Sequence, residues 1–597
     1  MSSQTERIYS AAPPARHIGQ IFFQRVEELG DRLCVKSQKK DGFETVSWRE
    51  FGALVQYLLL ALYDLRLTPG EAVAIIGENS LPWLCADLAT LAGGLPNVVV
   101  SPALSDALLL KVLGHSQCRA AFVENAAAVR RLSNLQSQLP ALSQIFVMQD
   151  HEQELSGTHS FDELIERGKA ADPKRLGEVL DAVQPGDLAT IMYTSGSTGE
   201  PKGVMRTQHN LLSNITNGGE IAAAKSEELF LVVLSLNHLL GRFGFLKSAV
   251  TGRSTAIIEA TELELDLNVV EALAGTAMAL VPRVMERIWH GILDRGRNRW
   301  LWQEIETLDL RKAKQGLSES ESEQFEAHRG RLKEAVRRAL GGRIKYISYS
   351  GAAMPPRIMR FFELMGIPLI GSYGSTECGG VTLCGIGDNR PGNLGKPFPN
   401  VEVRIAADSE ILVRGPTVSP GYLHNPEATR EVLDAEGWFH TGDLGALDAD
   451  GSLRIIGRKK DVFYCSEGSN IYPSFIESQL ENEPFIRQAV LLGDRRAFIA
   501  ALIVPDRRAI AAALARDEAS LADGEIETLV WRQIDTVNER LEHYEKIRKI
   551  ALMRTDFPTE VRSINVFQKT KIDRQLVAKS YRREIDEIYA SSGGGVH

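Results

Sequence analysis

Residues 193–203 read Tyr193-Thr194-Ser195-Gly196-Ser197-Thr198-Gly199-Glu200-Pro201-Lys202-Gly203, and they follow an apolar run from Leu188 to Met192. The apolar run predicts a buried strand that leads into a glycine-rich loop. Glycine lets successive backbone amides turn inward toward an oxyanion, while hydroxyl and lysine side chains add donors and positive charge. We therefore expect the loop to bind phosphate. The residues by themselves also allow a polar turn between a strand and a helix.

The loop is not a Walker A motif. That motif has glycine directly before its lysine and Ser or Thr directly after it, whereas here Pro201 precedes Lys202 and Gly203 follows it. The positions predicted to contact phosphate are Thr194, Ser195, Gly196, Ser197, Thr198, Gly199 and Lys202.

Four more segments follow the loop along the chain. They are Tyr373-Gly374-Ser375-Thr376-Glu377, Trp438-Phe439-His440-Thr441-Gly442-Asp443, Gly457-Arg458-Lys459-Lys460-Asp461 and Lys571-Ile572-Asp573-Arg574. In order and spacing, the five segments closely resemble the adenylate-forming superfamily, which includes acyl-CoA synthetases, luciferases and the adenylation domains of peptide synthetases. The resemblance extends over nearly the whole chain.

The resemblance implies a large N-terminal α/β domain of layered sheets with a small β-barrel-like part, followed by a small, mobile α+β domain. The residues agree with this fold class, because short apolar runs between positions 70 and 130 alternate with helical stretches, and strands and turns dominate from Val401 onward. We expect an adenylation domain at 1–457, a hinge at 458–461 that turns about Asp461, and a lid domain at 462–597. The densely charged residues 295–338 predict a helical insertion on the surface.

A predicted hairpin brings two of the segments together. Asp450-Gly451 is a strong signal for a two-residue hairpin loop. Pairing the strands outward from that loop places Asp443 directly opposite Arg458. A register one residue away stays open.

The reaction implied by the resemblance joins a carboxylic acid to a thiol. ATP activates the acid as an acyl-adenylate with release of pyrophosphate, and the thiol of CoA then displaces AMP. This chemistry needs no protein nucleophile, only alignment of the reactants and neutralisation of charge on the phosphates. ATP, Mg²⁺ and CoA are therefore the expected cofactors and co-substrates.

The resemblance also implies a role for each site residue. Glu377 would bind Mg²⁺ together with Thr194, and Tyr373 would pack on adenine. The other nucleotide contacts would be Gly351, Ala352, Ala353, Gly374, Thr376, Asp443 and Arg458. Lys571 would reach from the lid domain to the substrate carboxylate and the α-phosphate. His238 and Arg242 match a segment beside the acyl carboxylate.

Each of these residue types also has an ordinary structural explanation. A glutamate after a Gly-Ser-Thr turn is typical of a helix start, and an Asp–Arg pair is typical of neighbouring strands. Lys571 lies in a basic tract that would usually be solvated. His238 is nearly as well explained as a cap or a core residue.

Composition excludes several other classes of function. The chain has 597 residues, 68 basic and 77 acidic side chains and a formal charge of −9, which argues against nucleic acid as the main partner. Six cysteines without a close C-x-x-C spacing predict neither a disulfide framework nor a structural zinc site, and favour the cytoplasm. We expect small-molecule partners, and we leave a peripheral membrane contact and a homodimer open.

Within the superfamily the chain most resembles the long-chain fatty acyl-CoA ligases, and this resemblance implies a fatty acid with a long chain. The supporting segments are Val281-Pro282-Arg283-Val284-Met285-Glu286, the charged insertion, and Gly493-Asp494-Arg495 followed by the run from Ala501 to Asp506. Departures from the family pattern, such as Phe567-Gln568-Lys569-Thr570 before the final lysine, match positions near the acyl pocket or the surface used in the second step, so they concern the acyl specificity and the acceptor more than adenylation. Transfer to a carrier-protein phosphopantetheine and closure to a β-lactone are therefore alternatives, and an inactive nucleotide or acyl sensor is the alternative outside enzymes.

Overall fold

The computed structural model describes residues 17–39, 42–149, 157–195, 200–217, 228–258, 265–388, 390, 392–464, 470–514, 516–558, 572 and 574–590. The apolar-run and hairpin predictions fall within these ranges. Gly196 to Gly199 and Lys571 lie outside them. None of the helices in the described ranges has the length and apolar character needed to cross a membrane.

Strands and helices alternate through the first two-thirds of the chain. The strands are β1 Leu33–Lys39, β2 Gly42–Ser47, β3 Val73–Ile76, β4 Asn97–Val100, β5 Ala120–Val123, β6 Gln144–Val147, β7 Thr158–Ser160, β8 Leu188–Ser195, β9 Pro201–Thr207, β10 Leu229–Val232, β11 Ser254–Ile257, β12 Ala277–Leu280, β13 Tyr346–Tyr349, β14 Leu369–Ser375, β15 Gly379–Leu383, β16 Lys396–Pro397, β17 Glu402–Ile405, β18 Glu410–Arg414, β19 Phe439–Leu447, β20 Leu453–Arg458, β21 Phe463–Tyr464, β22 Asn470–Ile471, β23 Ile486–Leu492, β24 Ile499–Pro505 and β25 Ile547–Leu552. The helices are α1 Ile18–Leu29, α2 Trp48–Asp64, α3 Leu81–Ala92, α4 Asp106–Ser116, α5 Ala126–Leu135, α6 Phe161–Ala170, α7 Arg175–Ala182, α8 Gln208–Asn217, α9 Leu239–Thr251, α10 Leu267–Leu273, α11 Pro282–Leu293, α12 Asn298–Gln315, α13 Glu319–Ala339, α14 Pro356–Leu364, α15 Pro426–Val432, α16 Pro473–Glu481, α17 Arg507–Ala513, α18 Asp523–Asn538, α19 Arg574–Ser580 and α20 Arg582–Ala590.

Two large, mostly parallel sheets form the N-terminal part. The first has the strand order β7-β6-β5-β3-β4-β8-β9, and its last pair is antiparallel. The second has the order β16-β15-β14-β13-β12-β10-β11-β1-β2, and it is parallel from β14 to β1. The short, fully buried runs at β3, β4 and β5 are typical of strands covered by helices on both faces. The predicted α/β layering is confirmed.

A layer of helices between the two sheets forms the largest apolar core. Helices α1, α2, α3 and α9 contribute to it, together with inward-facing side chains from both sheets. Helix α3 is buried from Trp83 to Ala92, so it has no polar face toward solvent along that length. Helix α2 begins at a capping box in which Ser47 and Glu50 satisfy each other's backbone amides. The outer faces of the two sheets are covered by separate clusters.

The charged insertion forms the antiparallel-packed helices α12 and α13, as predicted. Its inner side is more apolar than the charge density suggests. Trp302 is buried and its ring meets Phe361 edge-on at 5.0 Å, whereas Trp300 is 47% exposed. The insertion therefore covers the outer face of the second sheet.

The predicted Asp443–Arg458 pairing is confirmed, although the loop differs from the prediction. Strands β17, β18, β19 and β20 form a four-stranded antiparallel sheet in which Asp443 lies opposite Arg458. Asp448 and Ser452 close the turn by a backbone hydrogen bond of 2.9 Å, so the loop contains three residues and not two. The three-residue loop alone would shift the register by one, and a bulge in β20 at Ile456 restores it.

After β20 the chain makes one 3₁₀ turn, Lys459–Asp461, and enters a smaller unit. This unit contains the three-stranded sheet β23-β24-β25 and has its own apolar clusters on the two faces of that sheet. A large α/β domain followed by a small α+β domain is thus the observed architecture. The boundary at 458–461 and the hinge role of Asp461 stay predictions.

Candidate active site

The glycine-rich loop connects the antiparallel strands β8 and β9. Thr194 pairs with Lys202, and Tyr193 pairs with Gly203, so the two arms of the loop are held in register. The element after the loop is therefore a strand and not a helix. Thr194 and Lys202 are described at the base of the loop, whereas Gly196, Ser197, Thr198 and Gly199 lie outside the described residues.

Tyr422 links the lysine of the loop to the predicted metal ligand. The ammonium of Lys202 lies 5.1 Å from the centre of the Tyr422 ring, and the Tyr422 hydroxyl donates to Oε1 of Glu377 at 3.2 Å. Tyr422 is held against β9 by a bridge to Val204. Sequence reasoning missed Tyr422, because it lies in a loop more than 200 residues beyond the lysine and carries no local signal.

Arg206 is a second residue that the sequence did not reveal. Its guanidinium is fully buried, and it donates to the carbonyl oxygens of Thr376 at 2.8 Å and Thr417 at 2.9 Å. Burial lowers the pKa of Arg206 to about 10, so the side chain stays cationic at neutral pH. Arg206 thereby fastens the Thr376–Glu377 turn to the strand that follows the glycine-rich loop.

Tyr373, Asp443 and Arg458 form a chain of polar contacts. The Tyr373 hydroxyl donates to Oδ2 of Asp443 at 2.8 Å, and Nε of Arg458 lies 2.8 Å from Oδ1 of the same carboxylate. Burial and the neighbouring Asp443 charge raise the pKa of Tyr373, which keeps its proton on the phenol. Each carboxylate oxygen has a second lone pair. Asp443 can therefore accept further hydrogen bonds from a diol while both protein contacts persist.

A cavity of about 760 Å³ opens beside these residues along one face of the second sheet. The predicted site residues that line it are His238, Gly351, Ala352, Tyr373, Gly374 and Thr376. Gly351 adopts φ of 89°, a conformation that favours glycine, and Ala353 is exposed two residues further on. Apolar side chains, among them Phe230 and Phe243, line another part of the same cavity.

His238 lies immediately before α9 and faces this cavity. Burial lowers the pKa of His238 to about 3, so the imidazole is neutral throughout the physiological range. A neutral imidazole can donate one hydrogen bond but cannot supply a positive charge to a carboxylate. The geometry is compatible with the predicted location beside an acyl carboxylate.

The structure does not bring Arg242 to the cavity, and its predicted catalytic role stays a prediction. Its side chain is 1% exposed, does not line the cavity, and points into the helix layer between the sheets. Nε lies 3.0 Å from Asp87, Nη1 donates to Thr190 at 2.8 Å and Nη2 donates to Asn97 at 2.9 Å. Arg242 thus ties α9 to α3, β4 and β8.

Two further predicted residues belong to the C-terminal part of the chain. Lys571 lies outside the described residues, so its predicted contact with substrate stays a prediction. Asp461 closes the 3₁₀ turn after β20, where the chain leaves the four-stranded sheet.

The sequence matches two family models, one over each part of the chain. Residues 22–423 match the AMP-binding enzyme family, and residues 460–593 match the AMP-binding enzyme C-terminal domain. The chain therefore belongs to the AMP-binding enzyme family.

Individual relatives agree with this assignment. The chain is 31% identical over 576 residues to the long-chain-fatty-acid–CoA ligase FadD15 of Mycobacterium bovis. The match covers 92% of this chain and 93% of the relative. It is 29% identical to the long-chain-fatty-acid–CoA ligase ACSBG1 of Mus musculus, over 81% of this chain and 70% of the relative.

A solved structure has the same fold. The adenylation domain of a carboxylate reductase from Mycobacterium chelonae superposes with a TM-score of 0.72 at 21% identity, over 98% of this chain and 92% of that domain.

Proposed function

We propose that this protein is an acid–thiol ligase that activates a fatty acid, of the long-chain class, with ATP and transfers the acyl group to CoA. The observation that carries the proposal is a continuous cavity that is lined by the predicted adenine-pocket backbone at Gly351 and Gly374 and by apolar side chains beside His238. A carboxylate at the junction would meet the α-phosphate while its chain lies in the channel. Names of the relatives support the fatty acid, and the reaction is typical of the family.

The proposed first step depends on positioning. Lys202 and the loop amides would bind the phosphates, Asp443 would accept from the ribose hydroxyls, and the phenol ring of Tyr373 would pack on the base. His238 would orient the carboxylate by a hydrogen bond. Lys571 would supply a cation to the α-phosphate as charge develops there.

Glu377 and Thr194 fit a magnesium ion that is shared with the nucleotide. Tyr422 donates to one Glu377 oxygen, and within the described ranges the second oxygen has no hydrogen-bond partner. Mg²⁺ typically takes one or two protein carboxylates and completes its shell with phosphate oxygens and water. When bound, the ion would withdraw electron density from the phosphates.

The test is a product analysis. Purified protein is incubated with ATP, Mg²⁺, CoA and saturated acids of six to eighteen carbons, and the products are identified by mass spectrometry. The proposal expects acyl-CoA, AMP and pyrophosphate in equal amounts. Acyl-adenylate that accumulates in the presence of CoA would instead indicate a carrier-protein acceptor, and a β-lactone from a β-hydroxy acid would indicate internal closure.

The cytoplasm is the proposed location. Within the described ranges Cys34, Cys85, Cys118, Cys378 and Cys384 are buried free thiols, a state that a reducing compartment maintains. Peripheral contact with a membrane is a further proposal that rests on the lipid character of the substrate, and the homodimer stays a prediction.

A further inference from the structure

The cavity runs along one face of the second sheet, from the carboxyl ends of the strands to their amino ends. We call the part at the amino ends the far end of the cavity. Ser350 and Ser348 line it together with Tyr346, at alternate positions of one strand and its extension. Ligands of open α/β sheets usually bind outside the carboxyl ends of the strands. A cavity that reaches the opposite edge needs an elongated ligand.

Helix α9 and strand β13 give the same length for the part of the cavity between His238 and the far end. Leu240, Phe243, Gly244 and Lys247 lie on one face of α9 and line the cavity, and about 13 Å of helix separates His238 from Lys247. The four-residue step from Tyr346 to Ser350 also spans about 13 Å. An extended chain with bonds of about 1.5 Å advances about 1.3 Å per carbon, so about ten carbon atoms reach the far end.

The far end is cationic, whereas the walls are apolar. Lys247 and Arg253 both line the cavity there, and Arg253 is 3% exposed. Nη1 of Arg253 donates to the Tyr346 hydroxyl at 3.3 Å, and its Nε lies 3.2 Å from Glu228. Nη2 of Arg253 is buried and has no hydrogen-bond partner among the residues that the structure describes. Burial and the nearby Arg253 charge lower the pKa of Lys247 to about 8.

Within the described ranges, the cavity has three further charged residues. Glu78 and Arg283 come shortly after the carboxyl ends of β3 and β12, and Arg287 lies one turn further on in α11. Arg253 precedes β11 and Tyr346 opens β13, both at amino ends. A purely hydrocarbon chain would leave the buried donor of Arg253 unsatisfied, which is costly.

We propose that Lys247, Arg253 and Tyr346 bind a second carboxylate, so that the preferred acid is a dicarboxylic acid of about ten carbons. This inference rests on the proposed ligase function and replaces its long-chain fatty acid by a shorter acid with two carboxylates. Thioester formation takes place at the first carboxylate, and the second is bound without reaction. The apolar walls, among them Phe230 and Phe243, hold the methylene chain between the two carboxylates.

Acid-dependent ATP–pyrophosphate exchange tests the inference with decanedioic acid and decanoic acid. For the native protein we expect kcat/KM to be about tenfold or more higher for decanedioic acid. Lys247→Met should lower the value for decanedioic acid by about 10- to 100-fold, the range of a hydrogen bond to a charged group, and should not lower that for decanoic acid. Lys247→Arg should retain most of the preference.

Lys345→Met is the matched control, because Lys345 pairs with Glu228 as Arg253 does, but is about half exposed and does not line the cavity. It should change neither value. A thermal shift on adding decanedioic acid with AMP gives a second readout without turnover, and Lys247→Gln replaces Lys247→Met if the latter does not fold.

The outcomes separate this inference from the proposed function. If no fatty or dicarboxylic acid supports exchange, the proposed function fails. If exchange occurs but the native protein treats the two acids equally, or Lys247→Met leaves their ratio unchanged, the ligase function stands and the second-carboxylate site is refuted.

Discussion

Individual residues of the site fall into those that a ligand can contact and those that hold them. Asp443 has a 9% exposed side chain with both oxygens already engaged, and lone pairs remain for a ligand. Arg242 and Arg206 are buried and bind protein atoms. Residue type alone does not distinguish these groups, because an arginine next to a glycine in the right motif can point toward the cavity or into the protein interior.

Asp443→Ala should raise the KM for ATP by about 10- to 100-fold with a smaller effect on kcat. The substitution removes the charged acceptor proposed for the ribose hydroxyls, and hydrogen bonds to charged groups contribute about 1.5–3 kcal/mol each. Initial rates of pyrophosphate exchange over a range of ATP concentrations measure the effect.

Asp408→Ala is the control for that experiment. Asp408 belongs to the same four-stranded sheet region and pairs with Lys459, but it is half exposed. The KM of the Asp408→Ala variant for ATP should equal that of the native protein. A native KM for folded Asp443→Ala would show that Asp443 does not bind the ribose.

Arg242→Met should lower the free energy of unfolding by about 3–5 kcal/mol, because it leaves the buried Asp87 carboxylate without its cation. Urea denaturation followed by tryptophan fluorescence measures the change. The double variant Arg242→Met, Asp87→Leu should recover part of the loss. Were Arg242 catalytic after all, Arg242→Met would keep native stability and lose exchange activity.

At the level of elements, close approach between helices and strands limits where side chains fit. Helix α6 packs on α2 through Gly168, where a Cβ atom would lie 1.9 Å from the carbonyl oxygen of Tyr57. Gly177 in the next helix has no atom within 4 Å of the same position. The two glycines look alike in the sequence, and only the packing of α2 distinguishes them.

Gly168→Ala should destabilise the protein by about 1–3 kcal/mol, because the backbone carbonyl of Tyr57 cannot rotate away as a side chain could. Gly177→Ala should be neutral or stabilise by up to about 1 kcal/mol, since alanine favours helix more than glycine does. Differential scanning calorimetry of the two variants tests the pair. Equal melting temperatures would contradict the close packing of α6 on α2.

At the scale of the whole molecule, the proposed reaction requires the C-terminal part to bring a cationic side chain to the bound nucleotide. The small unit has its own core and joins the large domain through the turn Lys459–Asp461. A unit with its own core and a short connection can turn as a body. The proposed hinge at Asp461 is consistent with that arrangement.

Lys571→Ala should abolish acid-dependent pyrophosphate exchange, because the first half-reaction loses the cation proposed at the α-phosphate. The same variant should still convert a supplied acyl-adenylate and CoA to acyl-CoA. Lys579→Ala, in the exposed part of α19, is the control and should exchange normally. Native exchange by Lys571→Ala would refute the assigned role.

Much of the fold and part of the site could be read from local patterns. Short apolar runs predicted the central strands, and the Asp450-Gly451 turn led to the correct partner for Asp443. The loop length was wrong by one residue, and a bulge at Ile456 compensated for it. A bulge depends on neighbouring strands and twist, so the sequence of the hairpin does not reveal it.

The sequence by itself determined the order of the nucleotide motifs, the α/β layering and the family, because glycine, hydroxyl and charged residues encode local backbone shapes and donors wherever they occur. Tertiary structure alone decided that Arg242 is buried against Asp87, that Tyr422 joins Lys202 to Glu377, and that two cations close the far end of the cavity. Those contacts join residues far apart in the chain. Their existence depends on how sheets and helices pack and not on any local pattern.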